Sequence, residues 1–383
     1  MSLLRQHGEL SQAQLCELAG LSSSTACYIV GRLREKKLIT ETRGKSNKRG
    51  AKPIIVRVRP QAQLVVGVEV SPTSILVGLF DFHCKLIESL RAAIPSDHSP
   101  ETVINLVEIN VRGLLGKRNV DEENVVGVGL TVSGAISAEG VVGLSAPMGW
   151  KHVPVREILQ ERFRAPVHVF TTRVRMFAEI GNSSPGTAST VVLVNFADGV
   201  GASVAENGRL SCGATNRVGE IGHIVFDRKG PQCGCGHRGC LETFASGPAL
   251  AKRIRSEIQE GRETVLRAWI KPEDTPRELL NHLGRAIAEN DAYALEIRAL
   301  IADYVSWATA IAINCYDPEM IILAGYVIAQ SPEYFIQAAQ KRIESDVFDH
   351  YSREIKIVVE RTGEESLIRG IASAVLNSSM GSV

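Results

Sequence analysis

The sequence predicts an α/β protein that begins with a winged helix-turn-helix, and three observations support this prediction. The first 60 residues contain three short helical patterns followed by two strand patterns. The remaining residues alternate between strand and helix patterns, which is typical of an α/β body. Residues 1–60 carry 12 Lys and Arg against 4 Asp and Glu, whereas the rest carries 31 against 38. A basic module on an acidic body indicates a polyanionic partner at one end only.

Length and composition predict two or three domains and no membrane partner. The 383 residues are 44% hydrophobic, and no apolar run approaches the ~18 residues that a membrane helix needs. The N-terminus shows no secretion pattern, and eight cysteines are compatible with a reducing compartment. We therefore expect a cytoplasmic protein.

The first three helices are predicted at residues 2–8, 12–19 and 23–36. Ser11 is the predicted N-cap of the second helix, and Gly20-Leu21-Ser22 forms the turn into the third. Apolar residues are spaced to bury one face of each helix in a common core: Leu15, Leu18, Leu21, Ile29, Val30 and Leu33. The third helix is then the one that enters a DNA major groove. Its candidate contacts to phosphates and base edges are Ser22, Ser23, Ser24, Thr25 and Tyr28.

A basic hairpin is predicted directly after these helices. Strands at 39–42 and 54–58 flank its tip, and the stretch from Arg43 to Arg59 contains seven basic residues and no acidic one. Such a tip is typical of a wing that contacts DNA phosphates or the minor groove. Its candidate contacts are Lys48, Arg49 and Lys52. The alternative is a charged loop that is merely solvated.

Residues 218–244 contain a cluster of metal-ligand side chains. One His and three Cys form a standard closed set for structural Zn²⁺, and this stretch offers His223, Cys233, Cys235 and Cys240. Glycines between the thiols let the backbone fold four ligands onto one ion. Free thiols or a disulfide are the alternative, although a bridge between two Cys one residue apart is strained. The sequence therefore predicts one structural Zn²⁺.

Two carboxylates flank this cluster, Glu220 before His223 and Glu242 after Cys240. A metal fixes its ligands and, through them, their immediate neighbours. We therefore predict that Glu220, His223 and Glu242 form a rigid polar wall that accepts hydrogen bonds from a polyhydroxylated ligand. Two solvated surface glutamates are the alternative.

The motifs E-I-G-H (220–223) and C-x-C-G-x-x-G-C-L-E-T (233–243) resemble the zinc and sugar-binding signature of the ROK family of bacterial repressors, open reading frames and sugar kinases. The resemblance extends over nearly the whole chain. It implies a two-lobed body with the ribonuclease H-like, actin-like ATPase fold. The implied domains are 1–60 for the winged helix-turn-helix, 61–183 with the C-terminal helix 364–383 for the first lobe, and 184–363 for the second lobe with the zinc site.

The resemblance also implies a sugar pocket. Its matched wall consists of Glu220, His223 and Glu242, and its further candidates are Gly134, Phe170 and Arg173. In the family, the strand end at Gly134 borders the pocket. Phe170 stands in place of a sugar-binding Asn, and Arg173 replaces a second Asn. Either Arg173 or Arg175, on the helix that begins there, would reach an acidic group on the ligand. An emptied pocket kept only as a scaffold is the alternative.

Kinase activity and ATP binding are not expected, because the chain departs from the family's kinases at several places. Thr171 stands in place of their catalytic Asp, and its pKa is far too high to accept a proton at pH 7. Pro72 interrupts one phosphate turn. Asp198 puts a negative charge into another. Only Gly325 remains of a Gly-Gly pair in the nucleotide pocket.

These patterns together predict a transcriptional regulator, a repressor of carbohydrate-metabolism genes. It would bind double-stranded operator DNA and a sugar-type effector, with structural Zn²⁺ and no enzymatic activity. A homodimer or homotetramer is expected, because helix-turn-helix proteins read palindromic sites as dimers. The alternatives are an active ROK sugar kinase with a DNA-binding domain, and a ligand-independent repressor controlled by a protein partner.

Overall fold

A computed structural model describes residues 1–44, 53–145, 148–180, 190–360 and 365–379. Their backbone contacts divide the chain into two units. The first unit contains Met1–Ala178 and Leu367–Val383, and the second contains Glu179–Ser366.

The first unit begins with a winged helix-turn-helix, as predicted. Its elements are α1 (Ser2–His7), β1 (Glu9–Ser11), α2 (Gln12–Ala19), α3 (Ser23–Glu35), β2 (Ile39–Arg43) and β3 (Ile54–Val58). The strands pair antiparallel in the order β1-β3-β2. Ser11 and Gln14 form a complete capping box at the start of α2, which confirms the predicted N-cap.

The core of this module is smaller than the apolar spacing predicts. Leu18 is 49% exposed, Leu21 is 37% exposed and Ile29 is 40% exposed, so the prediction that they are buried is wrong. Val30, in contrast, is 4% exposed. A module of this size has a small interior. That interior is already filled from α1, α3 and the sheet, by Leu4, Leu10, Ala26, Ile39 and Val56.

The first lobe is built on a sheet whose described strands follow the order β11-β7-β4-β5-β6. Its strands and helices are β4 (Leu64–Val70), β5 (Ser74–Phe80), β6 (Leu86–Ala93), α4 (Pro100–Lys117), β7 (Val125–Val132), β8 (Ala135–Ile136), β9 (Val142–Ser145), β10 (Trp150–Val153), α5 (Val155–Arg162), β11 (Val167–Phe170) and α6 (Met176–Ile180). The C-terminal helix, Ser366–Ser379, packs against this sheet. At Gly67 a Cβ atom would lie 2.4 Å from the carbonyl oxygen of Ile368, so only glycine allows this contact.

The second unit is built on a sheet whose described strands follow the order β14-β13-β12-β15-β16. Its strands are β12 (Thr190–Phe196), β13 (Val200–Glu206), β14 (Arg209–Leu210), β15 (Met320–Ala324) and β16 (Lys356–Val359). Its helices are α7 (Glu242–Ala245), α8 (Gly247–Gln259), α9 (Leu266–Trp269), α10 (Pro276–Ala288), α11 (Ala292–Tyr316) and α12 (Pro332–Asp346). Strands β12, β15 and β16 are parallel, so the segments that follow them meet at one edge of the sheet.

Helix α11 is 25 residues long and runs through the core of the second unit, where it buries Ile297, Val305 and Ile313 among others. Within the described parts of the chain, no helix combines the length and the apolar character needed to cross a membrane.

Candidate functional site

The N-terminal half of α3 presents the predicted DNA contacts on its surface. Ser22, Ser23, Ser24, Thr25 and Tyr28 are all exposed. Ser22 is the N-cap, and its hydroxyl oxygen accepts from the backbone N–H of Thr25 at 3.2 Å. Its Oγ also lies 2.8 Å from the Thr25 Oγ1 and 2.9 Å from the Ser24 Oγ. Ser22 therefore shapes the start of the helix in addition to facing solvent.

Tyr28 has an arginine neighbour on the same face of α3. Tyr28 is 65% exposed, and an Nη1 hydrogen of Arg32 is donated to its hydroxyl oxygen at 3.2 Å. The sequence pattern does not single out Arg32, although its position four residues after Tyr28 is the signal that places both on one face. Arg32 therefore joins the candidate DNA contacts.

The wing strands β2 and β3 pair from Ile39 with Val58 to Arg43 with Ile54. The predicted tip contacts Lys48, Arg49 and Lys52 lie outside the described residues.

The four predicted metal ligands come together in the second unit. The ligand atoms of His223, Cys233, Cys235 and Cys240 all lie within 4.8 Å of one another. The two Sγ atoms of Cys235 and Cys240 are 3.7 Å apart, and Nδ1 of His223 is 3.6 Å from Sγ of Cys233. Zn–S bonds of about 2.3 Å give a tetrahedron with edges of about 3.8 Å. The donor set and its spacing therefore fit one Zn²⁺, and the three cysteines are not disulfide-bonded.

Backbone geometry closes the loop that carries these thiols. The N–H of Cys233 donates to the carbonyl oxygen of His237 at 2.8 Å, and the N–H of Gly239 donates to that of Pro231 at 2.8 Å. Gly239 has φ +73°, and a Cβ atom there would lie 1.5 Å from the carbonyl oxygen of Asp227. This position therefore requires glycine.

The thiols differ in acidity. A backbone hydrogen bond from His237 lowers the pKa of Cys235 to about 6. Burial raises the pKa of Cys240 to about 12. At least one thiol is thus readily ionised at neutral pH, which is the form that binds metals.

Aromatic contacts fix the same loop to α11. The ring of Phe226 packs edge-on against Trp307 and Tyr304, with centroid distances of 5.2 Å and 5.4 Å. Its centroid also lies 5.6 Å from that of Phe244, which follows the last cysteine. Packing of this kind holds the loop in place on the second unit.

The predicted polar wall lies next to the thiol cluster. The Nδ1 atom of His223 faces Cys233, whereas its Nε2 atom lies 3.9 Å from Oε2 of Glu220. Glu242 is anchored differently, because its Oε2 accepts from the backbone N–H of Val200 at 3.0 Å. One carboxylate oxygen of Glu242 is therefore already bound to the turn between β12 and β13.

Two of the first-lobe candidates lie at strand ends. Gly134 has φ +143°, and a Cβ atom there would lie 2.4 Å from the carbonyl oxygen of Leu144. Glycine is therefore needed for the close approach of the strand β9. The half-buried ring of Phe170 lies nearly parallel to that of His168, with an interplanar angle of 4° and a centroid distance of 5.9 Å.

Arg173 is 7% exposed, and its Nε donates to the hydroxyl oxygen of Thr171 at 3.1 Å. Thr171 is the residue that the resemblance aligns with the catalytic Asp of the family's kinases. Its hydroxyl group is therefore bound by a buried arginine. This contact also shows that part of the Arg173 guanidinium is occupied within the protein.

At the edge of the second sheet, Tyr326 follows β15 and Asp198 lies in the turn between β12 and β13. The Tyr326 side chain is buried, and its hydroxyl group hydrogen-bonds to the carboxylate of Asp198. Gly325 has φ +100°, and a Cβ atom there would lie 2.2 Å from the carbonyl oxygen of Phe196. Glycine at position 325 is thus needed for the close approach of two strand ends.

Comparison with known families and proteins bears on both parts of the chain. The model of the ROK family matches residues 65–378, and a model of the MarR family matches residues 1–50. The xylose repressor of Caldicellulosiruptor bescii is 24% identical over 371 residues, which cover 96% of this chain and 92% of the relative. The DNA-binding transcriptional dual regulator NagC of Escherichia coli is 23% identical over 372 residues, which cover 97% and 89%.

Solved structures show the same fold. A ROK family transcriptional regulator described as a homologue of the E. coli MLC protein has a TM-score of 0.80 and 22% identity, and the match covers 97% of this chain and 92% of that one. A ROK family glucokinase from Streptomyces griseus, in complex with glucose and AMPPNP, has a TM-score of 0.71 and 22% identity, covering 81% and 98%. These matches confirm the actin-like ATPase fold of the body and the N-terminal winged helix. Since the ROK model spans well over half of the sequence, this chain belongs to the ROK family.

Proposed function

We propose that this chain is a transcriptional regulator, a repressor of carbohydrate-metabolism genes that binds operator DNA and responds to a sugar or sugar derivative. The observation that carries the proposal is the presence of a MarR-type module at residues 1–50 and a ROK body at residues 65–378 in one chain. The xylose repressor and the N-acetylglucosamine repressor align with 96% and 97% of this chain, so the alignments include both modules. The glucokinase structure covers only 81%.

Operator binding is assigned to α3 and the wing. The exposed hydroxyl groups at the start of α3, together with Tyr28 and Arg32, would contact base edges in the major groove. Lys48, Arg49 and Lys52 would contact phosphates from the wing. The net charge of +8 in residues 1–60 favours this polyanionic partner.

One structural Zn²⁺ would be held by His223, Cys233, Cys235 and Cys240. The spacing of these donors supports the assignment. Four protein ligands leave no open position for catalysis, so the metal would serve to fix the loop and its neighbours. A metal on Nδ1 of His223 leaves Nε2 free to face Glu220 and a ligand.

The candidate effector contacts of the second unit are Glu220, His223 and Glu242. The resemblance to the family's sugar pocket also implies Gly134, Phe170 and Arg173 as candidates. Glu220 is 56% exposed along its side chain and His223 33%, so the Glu220 carboxylate can accept hydrogen bonds from an added ligand and the Nε2–H of His223 can donate one. The ring of Phe170 offers an apolar face on which the C–H side of a sugar can rest. A buried arginine favours an effector that carries an acidic group.

We propose further that the chain is not a kinase. The hydroxyl group of Thr171 cannot act as a general base at neutral pH. Tyr326 and Asp198 occupy the sheet edge where kinases of the family carry glycines. The alternative function is that of an active sugar kinase with a DNA-binding domain. Such a kinase would form a sugar phosphate when the protein is incubated with ATP and a panel of sugars.

The regulator would act in the cytoplasm as a homodimer or homotetramer, because a dimer matches the two halves of a palindromic operator. A sugar would change operator affinity only if the protein has two conformations that differ in operator affinity and that bind the sugar unequally.

The deciding experiment measures affinity for an operator selected from a random-sequence DNA library, with and without xylose, glucose, N-acetylglucosamine and their 6- or 5-phosphates. We expect one of these to change operator affinity by about fivefold or more. The change should shrink in Glu242→Gln and persist in Glu273→Gln, a control at an exposed glutamate of the same unit. Absence of specific DNA binding would refute the function. Operator binding that no sugar alters would favour control by a protein partner.

A further inference from the structure

A basic cleft lies within the first unit, where the base of the winged helix-turn-helix meets the first lobe. Its volume is about 820 Å³, which is within the range of small-molecule pockets. Among the described residues that line it, the cations are Lys36, Lys37, Arg59, Lys85 and Arg118, and the only acid is Asp81. The cleft therefore carries a strong excess of positive charge.

Most of this charge is not neutralised by the protein. Among the described residues, no carboxylate forms an ion pair with Lys36, Lys37, Arg59 or Lys85. Arg118 does pair with Glu88, at 3.4 Å. Asp81 is committed elsewhere, because its Oδ1 accepts from the backbone N–H groups of His83 and Lys85, each at 2.9 Å. Four cations that have no ion-pair partner among the described residues, beside a single carboxylate, favour an added anion.

The cleft lies at the opposite end of the winged module from its DNA-binding face. Val58 lines the cleft and pairs with Ile39, four positions along the hairpin from the pair of Arg43 and Ile54. At ~3.3 Å per residue this separation is ~13 Å. Along α3, Lys36 caps the C-terminal end, ~20 Å from the Ser22 end that faces the major groove. The position favours a small ligand over operator DNA.

Both walls of the cleft are held in place. The backbone N–H of Phe82 donates to the carbonyl oxygen of Pro60 at 3.1 Å, which ties the turn carrying Lys85 to the end of the winged module. On the far side of that turn, Arg5 of α1 lies 3.3 Å from Sγ of Cys84 and donates to Ser373 and Asn377 of the C-terminal helix, at 2.9 Å and 2.8 Å. The cationic side chains thus project from a fixed framework, which lowers the entropic cost of binding a ligand.

We propose that the basic cleft binds a small ligand with two or more negative charges on phosphate groups. Its phosphate oxygens accept hydrogen bonds from Lys36, Lys37 and Arg59 on the winged module and from Lys85 on the first lobe. The ligand therefore bridges the DNA-binding module and the body. This site is separate from the proposed sugar contacts, none of which lines the cleft.

The test is calorimetric titration of the full chain with inorganic pyrophosphate, a probe that carries the phosphate chemistry without a sugar. We expect saturable binding, with affinity reduced about tenfold or more in both Lys37→Glu and Lys85→Glu. Lys252→Glu, the same change at an exposed lysine of the second unit, should leave the affinity within about twofold. Glu242→Gln should also bind pyrophosphate normally, which separates this proposal from the sugar response.

Three results would overturn the proposal. The first is a wild-type chain that shows no saturable pyrophosphate binding at concentrations on the order of millimolar. The second is a Lys252→Glu variant that loses as much affinity as the cleft variants. The third is a weaker salt dependence of DNA binding in Lys85→Glu without pyrophosphate, by about one unit of slope, which would assign the cleft to DNA phosphates. Circular dichroism of each variant checks that it is folded.

Discussion

The hydroxyl group of Tyr326 donates a hydrogen bond of 2.7 Å to Oδ1 of Asp198. Burial of the phenol raises the pKa of Tyr326, so the hydroxyl group stays protonated and remains a donor. The guanidinium carbon of Arg277 lies 4.9 Å from the ring centroid. A Cβ atom at Gly247 would lie 2.0 Å from the hydroxyl oxygen of Tyr326, so the ring packs closely against this glycine. Tyr326 and Asp198 thus form a packed structure of their own at this edge of the sheet.

This packing predicts a measurable cost for Tyr326→Phe. Removing the hydroxyl group leaves the ring in place and removes one hydrogen bond, which should lower the free energy of unfolding by about 0.5–1.5 kcal/mol. Differential scanning calorimetry would detect this as a Tm decrease of about 2–4 °C per kcal/mol. The control is Tyr351→Phe, because Tyr351 is 91% exposed and should tolerate the change. Equal Tm values for both variants would contradict the prediction.

Metal analysis tests the thiol cluster. We expect about one zinc per chain in the wild type, and loss of it in Cys235→Ser, since a hydroxyl group is a poor replacement for a thiolate ligand. The variant should also unfold at a lower temperature, because zinc binding to such sites contributes on the order of 10 kcal/mol. Cys212→Ser, at an exposed cysteine outside the cluster, should keep its zinc. Wild-type protein purified without chelators and free of zinc would refute the site.

Salt titration tests whether the wing contacts DNA phosphates and α3 contacts base edges. The double change Arg49→Ala and Lys52→Ala should weaken binding to all sequences and reduce the salt slope by about 0.9 for each lost phosphate contact. Tyr28→Phe should instead alter sequence preference, by about 1–3 kcal/mol at the affected base pair. Lys341→Ala, at an exposed lysine of the second unit, is the control for general charge. Operator binding that survives deletion of residues 1–60 would contradict the assignment.

The stability of the first lobe should depend on pH through His168. Burial of this ring, with the nearby charge of Arg156, lowers the pKa of His168 below its usual 6.5. As pH falls through about 6.5, the unfolded chain takes up a proton before the folded chain does, so stability is lost towards acid. Between about pH 7.5 and pH 5, the free energy of unfolding obtained from urea denaturation should fall less in His168→Gln than in the wild type. His83→Gln, at an exposed ring, should follow the wild type. Parallel curves for all three proteins would refute the role of His168.

Local features of this protein could be predicted from the sequence. The capping box of Ser11 and Gln14 joins residues three apart, so the sequence contains all of its chemistry. The three thiols of the cluster lie in one short loop, and their spacing predicts a common ion before any fold is known. The winged helix-turn-helix and the main strands of both sheets were also predictable, because their apolar periodicity is regular.

Burial could not be predicted in the same way. Periodicity predicts which face of a helix is apolar, but not whether another element covers that face. In the winged module, Leu4 and Val56 come from α1 and β3 to fill the small interior, and Leu18 and Ile29 are left partly in solvent. Leu4 and Val56 come from opposite ends of the module's sequence, so no local pattern predicts which apolar side chains will be covered.

The sequence by itself determined the family, the local caps and the grouping of His223 with the three thiols, because the motifs that carry them join residues that are close in the chain. Only the tertiary structure decided which distant residues meet. Asp198 and Tyr326 are 128 positions apart, and Val200 and Glu242 are 42 apart. The basic cleft likewise combines Lys36 and Lys37 with Lys85 and Arg118. Such contacts follow from how whole strands and helices pack, and that packing leaves no regular spacing in the sequence.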